Sequence, residues 1–234
     1  MSTDVLYYVG GPDVDDRSEL RYSLRSLAQN ARFDYRDVFV VGDVPAWFAG
    51  AKMPLPPASE KFRNARQSIT TYINHPGAAD QIVLMMDDIY LLEPVCKIEA
   101  IHLGKATGYS AYKTGNGTYA RAVRDTTDWL RAHGHPEPLA YLGHTPVLLN
   151  TGKARDFLTA YPEHLLLEPF LLYVVAGAAG PGRRGGNAKC AKDDNLDHKL
   201  SLDIPYLSSN PDTWTGRLGD LIREKHPTPC RWER

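Results

Sequence analysis

The residues best suited to chemistry are two adjacent carboxylates, Asp87 and Asp88, which end a short apolar run. The run, Ile82 to Met86, has the length and composition of a strand that is buried on both faces. Open α/β sheets form their ligand crevices at the carboxyl ends of such strands, and paired carboxylates there suit a hard divalent cation that also binds substrate phosphates. For an isolated Asp-Asp pair, a turn capped by Asp88 would be the better explanation. The surrounding elements therefore decide between a metal site and a turn.

A second concentration of potential ligands lies late in the chain. Within six positions, the sequence places Asp193, Asp194, Asn195, Asp197 and His198. This density of oxygen and nitrogen ligands is more than a structural loop needs. The structural alternative is a helix start that is capped by Asp194 or Asn195.

Predicted elements on the amino-terminal side place the acidic pair in a sheet. Strands are predicted at 4–10 and 37–42, and helices at 18–28 and 60–75, followed by the acidic strand itself. This alternation predicts a parallel sheet with right-handed crossovers. Arg21 and Arg25 of the first helix are expected to lie on a solvated face. The acidic pair would then close the third strand of a nucleotide-binding-like half.

The pattern is looser beyond residue 95. It predicts a strand at 106–112, a helix at 118–132, a strand at 147–149, a helix capped by Thr151 and a core helix at 165–179. The last of these is strongly apolar but too short to span a bilayer.

Two glycine-containing segments are further candidates for binding a nucleotide or another phosphorylated ligand. Gly10 and Gly11 follow the first strand, where backbone can approach a nucleotide, although the spacing of a phosphate-binding loop is absent. The tract from Gly177 to Asn187 is rich in glycine and carries Arg183 and Arg184. It is interpreted as a mobile lid over a phosphorylated donor, with a disordered surface loop as the alternative.

Composition sets the class of protein. The 234 residues, 43% hydrophobic and 24% charged, are sufficient for one domain, with a nucleotide-binding half at 1–95 and a remainder at 96–234. The net charge of −1 does not indicate a nucleic-acid or membrane partner, and no run is long enough to span a membrane. Three widely spaced cysteines and the lack of a leader-like amino terminus favour a cytoplasmic protein with unpaired thiols.

Several stretches, taken in order, resemble one known family. They are DVLYYVGGPD, RSELRYSLRSLAQNARFDYRDVFVVGDVPAWF, EKFRNARQSI, QIVLMMDDIYLLEPV, LGHTPVLLN, KCAKDDNLDH and HPTPCRWE. Their order is similar to that of the Stealth family of sugar-phosphate transferases. The family commonly has Asn-Asp-Asp where this chain has Met86-Asp87-Asp88, and the section from Ala106 to Leu139 is not covered by the resemblance.

The resemblance implies a GT-A-like α/β domain with a mostly parallel central sheet flanked by helices, in which residues 96–234 form the acceptor and metal-completing half. It also implies a divalent metal, Mg²⁺ or Mn²⁺, and transfer of sugar 1-phosphate from a nucleotide-sugar donor to an acceptor hydroxyl. His144, in His-Thr-Pro, would be the general base. The metal ligands would be Asp87, Asp88, Asp194, Asn195 and His198. The residues that bind the donor would be Gly10, Gly11, Asp13, Arg63, Asn64, Arg183 and Arg184.

Two other functions stay open. A GT-A glycosyltransferase would keep the donor and the metal but move only the glycosyl group, to a glycan, a protein or a modified nucleic-acid base. In that reading His198 would be a metal ligand near the carboxyl end. A non-catalytic module that binds nucleotide sugars is the alternative from another class.

Overall fold

The structure is a computed structural model that describes residues 1–10, 17–56, 58 and 60–234, with the side chain of Asp194 excepted. Its strands are β1 (Thr3–Val9), β2 (Val38–Gly42), β3 (Ala51–Pro54), β4 (Gln81–Met85), β5 (Ile89–Leu91), β6 (Ile101–His102), β7 (Val147–Asn150), β8 (Arg183–Arg184) and β9 (Tyr206–Ser208). Its helices are α1 (Ser18–Asn30), α2 (Lys61–Ile73), α3 (Ser110–Lys113), α4 (Gly117–Ala132), α5 (Thr151–Ala160), α6 (Tyr173–Ala176), α7 (Leu196–Leu200), α8 (Pro211–Trp214) and α9 (Arg217–Lys225).

A five-stranded, mostly parallel sheet with the order β3-β2-β1-β4-β7 forms the centre of this mixed α/β fold. β1 pairs in parallel with β2 and β4, whereas β7 is antiparallel to β4, with Val147 opposite Leu84. The carboxyl end of β4 therefore lies beside the amino end of β7. Two short pairs, β5 with β9 and β6 with β8, extend the fold outside this sheet.

Helices cover both faces of the central strand β1. On one face the hydroxyl groups of Tyr7 and Ser23 of α1 are 3.0 Å apart. On the other face Tyr72 of α2 donates to the buried Asp4 at 2.6 Å, and Arg36 forms an ion pair with the same carboxylate at 2.7 Å. This double cover explains why β1 is a nearly continuous apolar run, as a central parallel strand requires.

One large hydrophobic cluster joins the two predicted halves, because it contains strand residues such as Val5 and Leu84 together with Leu171 and Tyr206. A second, smaller cluster attaches the carboxyl-terminal segment. It consists of Tyr90, Cys190, Leu196, Leu207, Trp214, Leu218 and Ile222. Among the residues described, no helix is both long and apolar enough to cross a membrane. Within the described part of the chain, Cys96, Cys190 and Cys230 form no disulfide bond with one another.

Three local predictions beyond residue 95 are wrong. The predicted strand at 106–112 is a 3₁₀ turn (Ala106–Gly108) followed by α3, because its amides bond to carbonyls three or four residues back. The predicted core helix at 165–179 is buried but interrupted. Pro169 starts a 3₁₀ helix that continues into α6, since a proline disfavours helix in the residue before it.

The third error concerns the start of α5. Asn150 caps this helix by accepting from the Lys153 amide at 2.9 Å, whereas Thr151 donates its hydroxyl to the Ala79 carbonyl at 2.6 Å. The predicted helix at 118–132 and the predicted strand at 147–149 are confirmed as α4 and β7.

Glycine in the 177–187 tract serves close packing. Gly182 has φ +73, and a Cβ there would lie 2.0 Å from the Ala100 carbonyl oxygen. The tract also contains β8, which pairs with β6. Its composition is thus explained in part by a close backbone approach, which only glycine permits.

Candidate functional site

Asp87 and Asp88 lie between β4 and β5, at the carboxyl edge of the parallel strands. Lys189 Nζ donates to Asp88 Oδ2 at 2.6 Å, and the Asp88 carbonyl accepts from the Ser209 amide at 3.1 Å. The other carboxylate oxygen, Asp88 Oδ1, is buried and has no hydrogen-bond partner among the described residues. A buried carboxylate oxygen without a donor is energetically costly, so this atom fits a cationic ligand.

The pKa values of the two carboxylates are shifted in opposite directions. Burial and the neighbouring Asp88 raise the pKa of Asp87 to about 6, against the opposing charges of Lys61 and Arg17. Burial also acts to raise the pKa of Asp88, but Lys189 and His144 outweigh it and the pKa lies below its ordinary value. Two like charges this close favour a shared cation between them. The residues present therefore fit a divalent metal, with Asp87 and Asp88 as the carboxylate ligands.

The antiparallel strand β7 brings His144 to the same edge. His144 has φ +50, a left-handed conformation, in the turn that precedes β7. Its Nδ1 lies 3.5 Å from Ser208 Oγ, and Asp88 is among its electrostatic neighbours. Burial lowers the pKa of His144 to about 4, so the imidazole is neutral at neutral pH and able to accept a proton.

Two glutamates with shifted pKa values, the half-buried Glu19 and the buried Glu168, are absent from the residues that sequence reasoning selected. Burial raises the pKa of Glu19, in the first turn of α1, to about 7, while Ser209 Oγ donates to its Oε1 at 2.5 Å. Burial likewise raises the pKa of Glu168 to about 7, and Lys61 acts against this shift. Glu168 is the single charge in the apolar run LLLEPFLL, which is a signal that sequence reasoning could have used.

Two lysines beside the aspartates were missed for a different reason. Lys61 begins α2 and influences the pKa of Asp87, Asp88, His144 and Glu168. Lys189 directly precedes Cys190, a member of the second hydrophobic cluster, and reaches Asp88 across 101 positions of sequence. Lysines are common at protein surfaces, and no local pattern marks these two as site residues.

Other residues predicted to bind the donor have structural partners. Arg63 donates to the Glu163 carbonyl at 3.0 Å, and Asn64 donates to the Val9 carbonyl at 3.1 Å. Gly10 is packed against Asn64, since a Cβ at Gly10 would lie 1.7 Å from Asn64 Nδ2. These contacts place Asn64 and Gly10 at the carboxyl end of β1, beside β4, in positions that support the edge of the sheet.

The two arginines of the glycine-rich tract form their contacts away from the Asp87/Asp88 pair. Arg183 forms an ion pair with Glu99 at 2.7 Å and donates to the Asp203 carbonyl at 2.5 Å, so it already has a carboxylate partner. Arg184 lines a cavity with His102 and Lys105. Within the described residues, no ion pair joins either arginine to Asp87 or Asp88.

The late acidic segment, residues 193–198, contributes one carboxylate to the start of a helix and otherwise has mainly exposed side chains among its described residues. Asp193 accepts from the Arg217 amide at 2.9 Å, at the start of α9. Asn195 and His198 are exposed, and Asp197 forms an ion pair with Arg217 at 3.4 Å. Asn195 occupies the predicted N-cap position, at the start of α7, but its side chain forms no capping hydrogen bond there. The Asp193 carboxylate instead accepts from the first amide of a later helix, α9.

No group of three or more His, Cys, Asp or Glu residues that could hold a metal occurs in the described part of the chain. No hydrogen bond or ion pair among the described residues joins Asn195 or His198 to the Asp87/Asp88 pair, so their predicted role as metal ligands stays a prediction. Gly11, Asp13 and the side chain of Asp194 lie outside the described residues, and their predicted roles stay predictions.

Comparison of the chain with protein-family models and with curated proteins gives no match. The site is therefore interpreted from its own geometry. It combines a carboxylate pair in which one oxygen has no hydrogen-bond partner among the described residues, two neighbouring lysines, and a neutral, half-buried imidazole on the same sheet edge.

Proposed function

We propose that the chain is a metal-dependent transferase that uses a nucleotide-sugar donor on a GT-A-like fold. The observation that carries the proposal is the Asp87/Asp88 pair at the carboxyl end of β4, with Asp88 Oδ1 buried and unpartnered. This sheet edge is where α/β folds bind ligands. A diphosphate beside two carboxylates needs an intervening cation, which the pair is suited to hold.

The preferred reaction is transfer of sugar 1-phosphate to an acceptor hydroxyl. Asp87 and Asp88 would hold the metal, which when bound would neutralise charge on the leaving nucleotide. Lys61 and Lys189, which lie beside the two aspartates, would add positive charge next to the donor phosphates. His144 is neutral at working pH and would accept the proton of the attacking hydroxyl.

Product analysis tests this proposal. The chain is incubated with a panel of nucleotide sugars, a panel of hydroxyl acceptors and Mg²⁺ or Mn²⁺, and the products are identified by mass. Release of nucleoside monophosphate, abolished by chelator, is expected. Release of nucleoside diphosphate would indicate glycosyl transfer instead. Binding of donor without any turnover would indicate a non-catalytic module.

A matched pair of variants assigns any turnover to the site. Asp88→Asn should abolish it, because the amide cannot supply the charge that holds the cation. Asp37→Asn removes an exposed carboxylate just before β2, at the opposite edge of the sheet, and should leave turnover unchanged. Equal activity of both variants would contradict the assignment.

A further inference from the structure

A cavity of about 440 Å³ is lined by residues that have no part in the proposed donor chemistry. Its volume is in the range of small-molecule sites. The lining residues come from β6, β8 and the loop segments around α3. They are His102, Leu103, Gly104, Lys105, Gly108, Tyr109, Ser110, Leu139 and Arg184.

The lining is positively charged. Arg184 is exposed and forms no ion pair within the described part of the chain, although its neighbour Arg183 is engaged by Glu99. Lys105 is the other formal cation, and it pairs with Glu137 outside the lining at 2.5 Å. None of the described lining residues is acidic. A guanidinium without a carboxylate partner on the wall of a cavity is suited to bidentate binding of an anion.

His102 provides a second donor. Its Nδ1 accepts from the Gly104 amide at 3.1 Å, so in the neutral ring the proton resides on Nε2. Burial and the nearby Arg184 lower the pKa of His102, which keeps the ring in this neutral form. The cavity therefore offers a guanidinium and an imidazole N–H, together with the hydroxyl of Ser110.

Two sets of contacts connect the cavity with the candidate site. On one side, Tyr119 donates its hydroxyl to Tyr109 at 3.5 Å, and burial and Glu168 raise the pKa of Tyr119. On the other side, a Cβ added at Gly143, the residue before His144, would lie 3.8 Å from Leu103 Cδ2. The cavity is thus linked to Glu168 through Tyr109 and Tyr119, and to the residue before the proposed base through Leu103.

We propose that this cavity binds the acceptor, and that the acceptor is a small molecule carrying a phosphate monoester. The inference rests on the proposed function, since an acceptor is required only if the chain transfers a group. The anchor is Arg184, with the Nε2–H group of His102 as the second donor. A phosphate dianion is favoured over a carboxylate because it offers more charge and more acceptor oxygens to these donors.

Nuclear magnetic resonance tests the binding without turnover. The amide of Gly104, which donates to His102, reports on the cavity, and the amide of Gly152 in α5 reports on a distant position. Titration with glucose 6-phosphate should shift the Gly104 signal, whereas glucose should not. Inorganic phosphate should compete. Shifts that are equal for glucose and glucose 6-phosphate, or confined to Gly152, would overturn the proposal.

Variants identify the anchor. Arg184→Gln should weaken binding of glucose 6-phosphate roughly tenfold to a hundredfold, the usual scale for losing charge-assisted hydrogen bonds. Arg121→Gln removes an exposed arginine of α4 that pairs with Asp125 at 3.4 Å, and it should have no effect. An equal loss in both variants would show that only general surface charge is involved and would overturn the assignment.

Turnover separates this inference from the proposed function. With an active donor, phosphorylated acceptors should be converted more efficiently than their unphosphorylated forms, and Arg184→Gln should remove the difference. Equal use of both forms by the wild-type chain would overturn the inference and leave the proposed function standing. No donor turnover with any acceptor would instead count against the proposed function, while the Gly104 signal would still report whether the cavity binds phosphate.

Discussion

At the scale of single residues, the site is defined by neighbouring ionisable groups whose pKa values are shifted in different directions. Asp88 is kept ionised by Lys189, whereas burial and Asp88 raise the pKa of Asp87 to about 6. His144 is kept neutral by burial. Groups whose pKa values are driven apart in one cleft are typical of functional sites, because each is then fixed in one role.

His144 is the residue with the most specific expected role. Its left-handed backbone, φ +50, is better tolerated by asparagine than by most residues, so His144→Asn is the least disruptive substitution. If His144 is the base, turnover should fall by roughly two to four orders of magnitude with donor affinity retained. Steady-state kinetics and donor titration measure the two effects. His164→Asn, at an exposed position, is the control.

Loss of donor affinity in parallel with turnover would show that His144 supports the site structurally instead. A residual activity close to that of the wild-type chain would exclude the histidine as the base.

Lys189 is expected to compete with a divalent metal. Its ammonium already neutralises Asp88 Oδ2 at 2.6 Å, and a bound cation would meet its repulsion. Lys189→Met should therefore strengthen Mn²⁺ binding, measured without donor, by roughly tenfold or more. A unit charge a few ångströms away shifts a pKa by about one unit or more, and one unit corresponds to a factor of ten in a binding equilibrium. Lys199→Met is the control, because Lys199 donates to the Asn187 carbonyl at 2.9 Å. Unchanged or weaker Mn²⁺ binding in Lys189→Met would contradict the competition.

At the scale of elements, the chain end is fastened to α1 by an ion-pair cluster. Glu233 accepts from Arg25 at 2.8 Å through both carboxylate oxygens, and from Arg21 at 3.1 Å. The Cys230 amide adds a further hydrogen bond at 2.9 Å. The prediction that Arg21 and Arg25 form a solvated face is therefore wrong. A partner more than 200 positions away gives no local sign in the sequence.

Breaking this cluster should destabilise the fold. Glu233 is only 4% exposed and Arg25 10%, so Glu233→Gln leaves a buried guanidinium without its countercharge. We expect a loss of about 3–5 kcal/mol in the free energy of unfolding, measured by urea denaturation. Asp220→Asn breaks an exposed pair with Arg223 and should cost less than about 1 kcal/mol. A loss of that smaller size for Glu233→Gln would contradict a buried role.

The same carboxylate predicts a pH dependence. Burial acts to raise the pKa of Glu233, but its hydrogen bonds from Arg25, the Cys230 amide and Arg21 lower it to about 2. A depressed folded-state pKa contributes stability above the unfolded value near ~4.3, and this contribution is lost as the pH falls towards 2. Between these pH values, the stability of Glu233→Gln should therefore decline less steeply than that of the wild-type chain.

At the scale of the whole molecule, the sequence predicted what local patterns determine. The predicted strands at 4–10, 37–42 and 82–86, the two helices between them and the position of the pair at a strand end are confirmed. The edge strand β3 was not predicted, so the acidic pair follows the fourth strand and not the third. Three features were not predicted: the antiparallel direction of β7, the ion pair of Lys189 with Asp88, and the interruption of the helix at Pro169. Each depends on which distant segments meet, and hydrophobic periodicity does not specify such pairing.

The position of the carboxyl-terminal segment illustrates how distant packing determines the site. Trp214 stacks on Tyr90 with ring centroids 5.8 Å apart and donates from Nε1 to Ser18 Oγ at 2.8 Å. Tyr90 belongs to β5, which starts directly after Asp88 and pairs with β9. This packing therefore holds β9 and the adjoining Lys189 segment against the acidic pair.

Removing Trp214 should disturb the site from a distance. Trp214→Ala should lower the free energy of unfolding by about 3–5 kcal/mol and also change Mn²⁺ affinity, measured at a temperature at which the variant is still folded. Trp129→Ala is the matched control, since Trp129 packs on Phe157 at 4.8 Å, away from β5. It should lower stability while leaving Mn²⁺ affinity intact, and Trp214→Phe should restore most of both properties. If the two alanine variants changed Mn²⁺ affinity equally, the effect would follow from general loosening of the fold, and the stacked pair of Tyr90 and Trp214 would have no specific part in positioning Asp88.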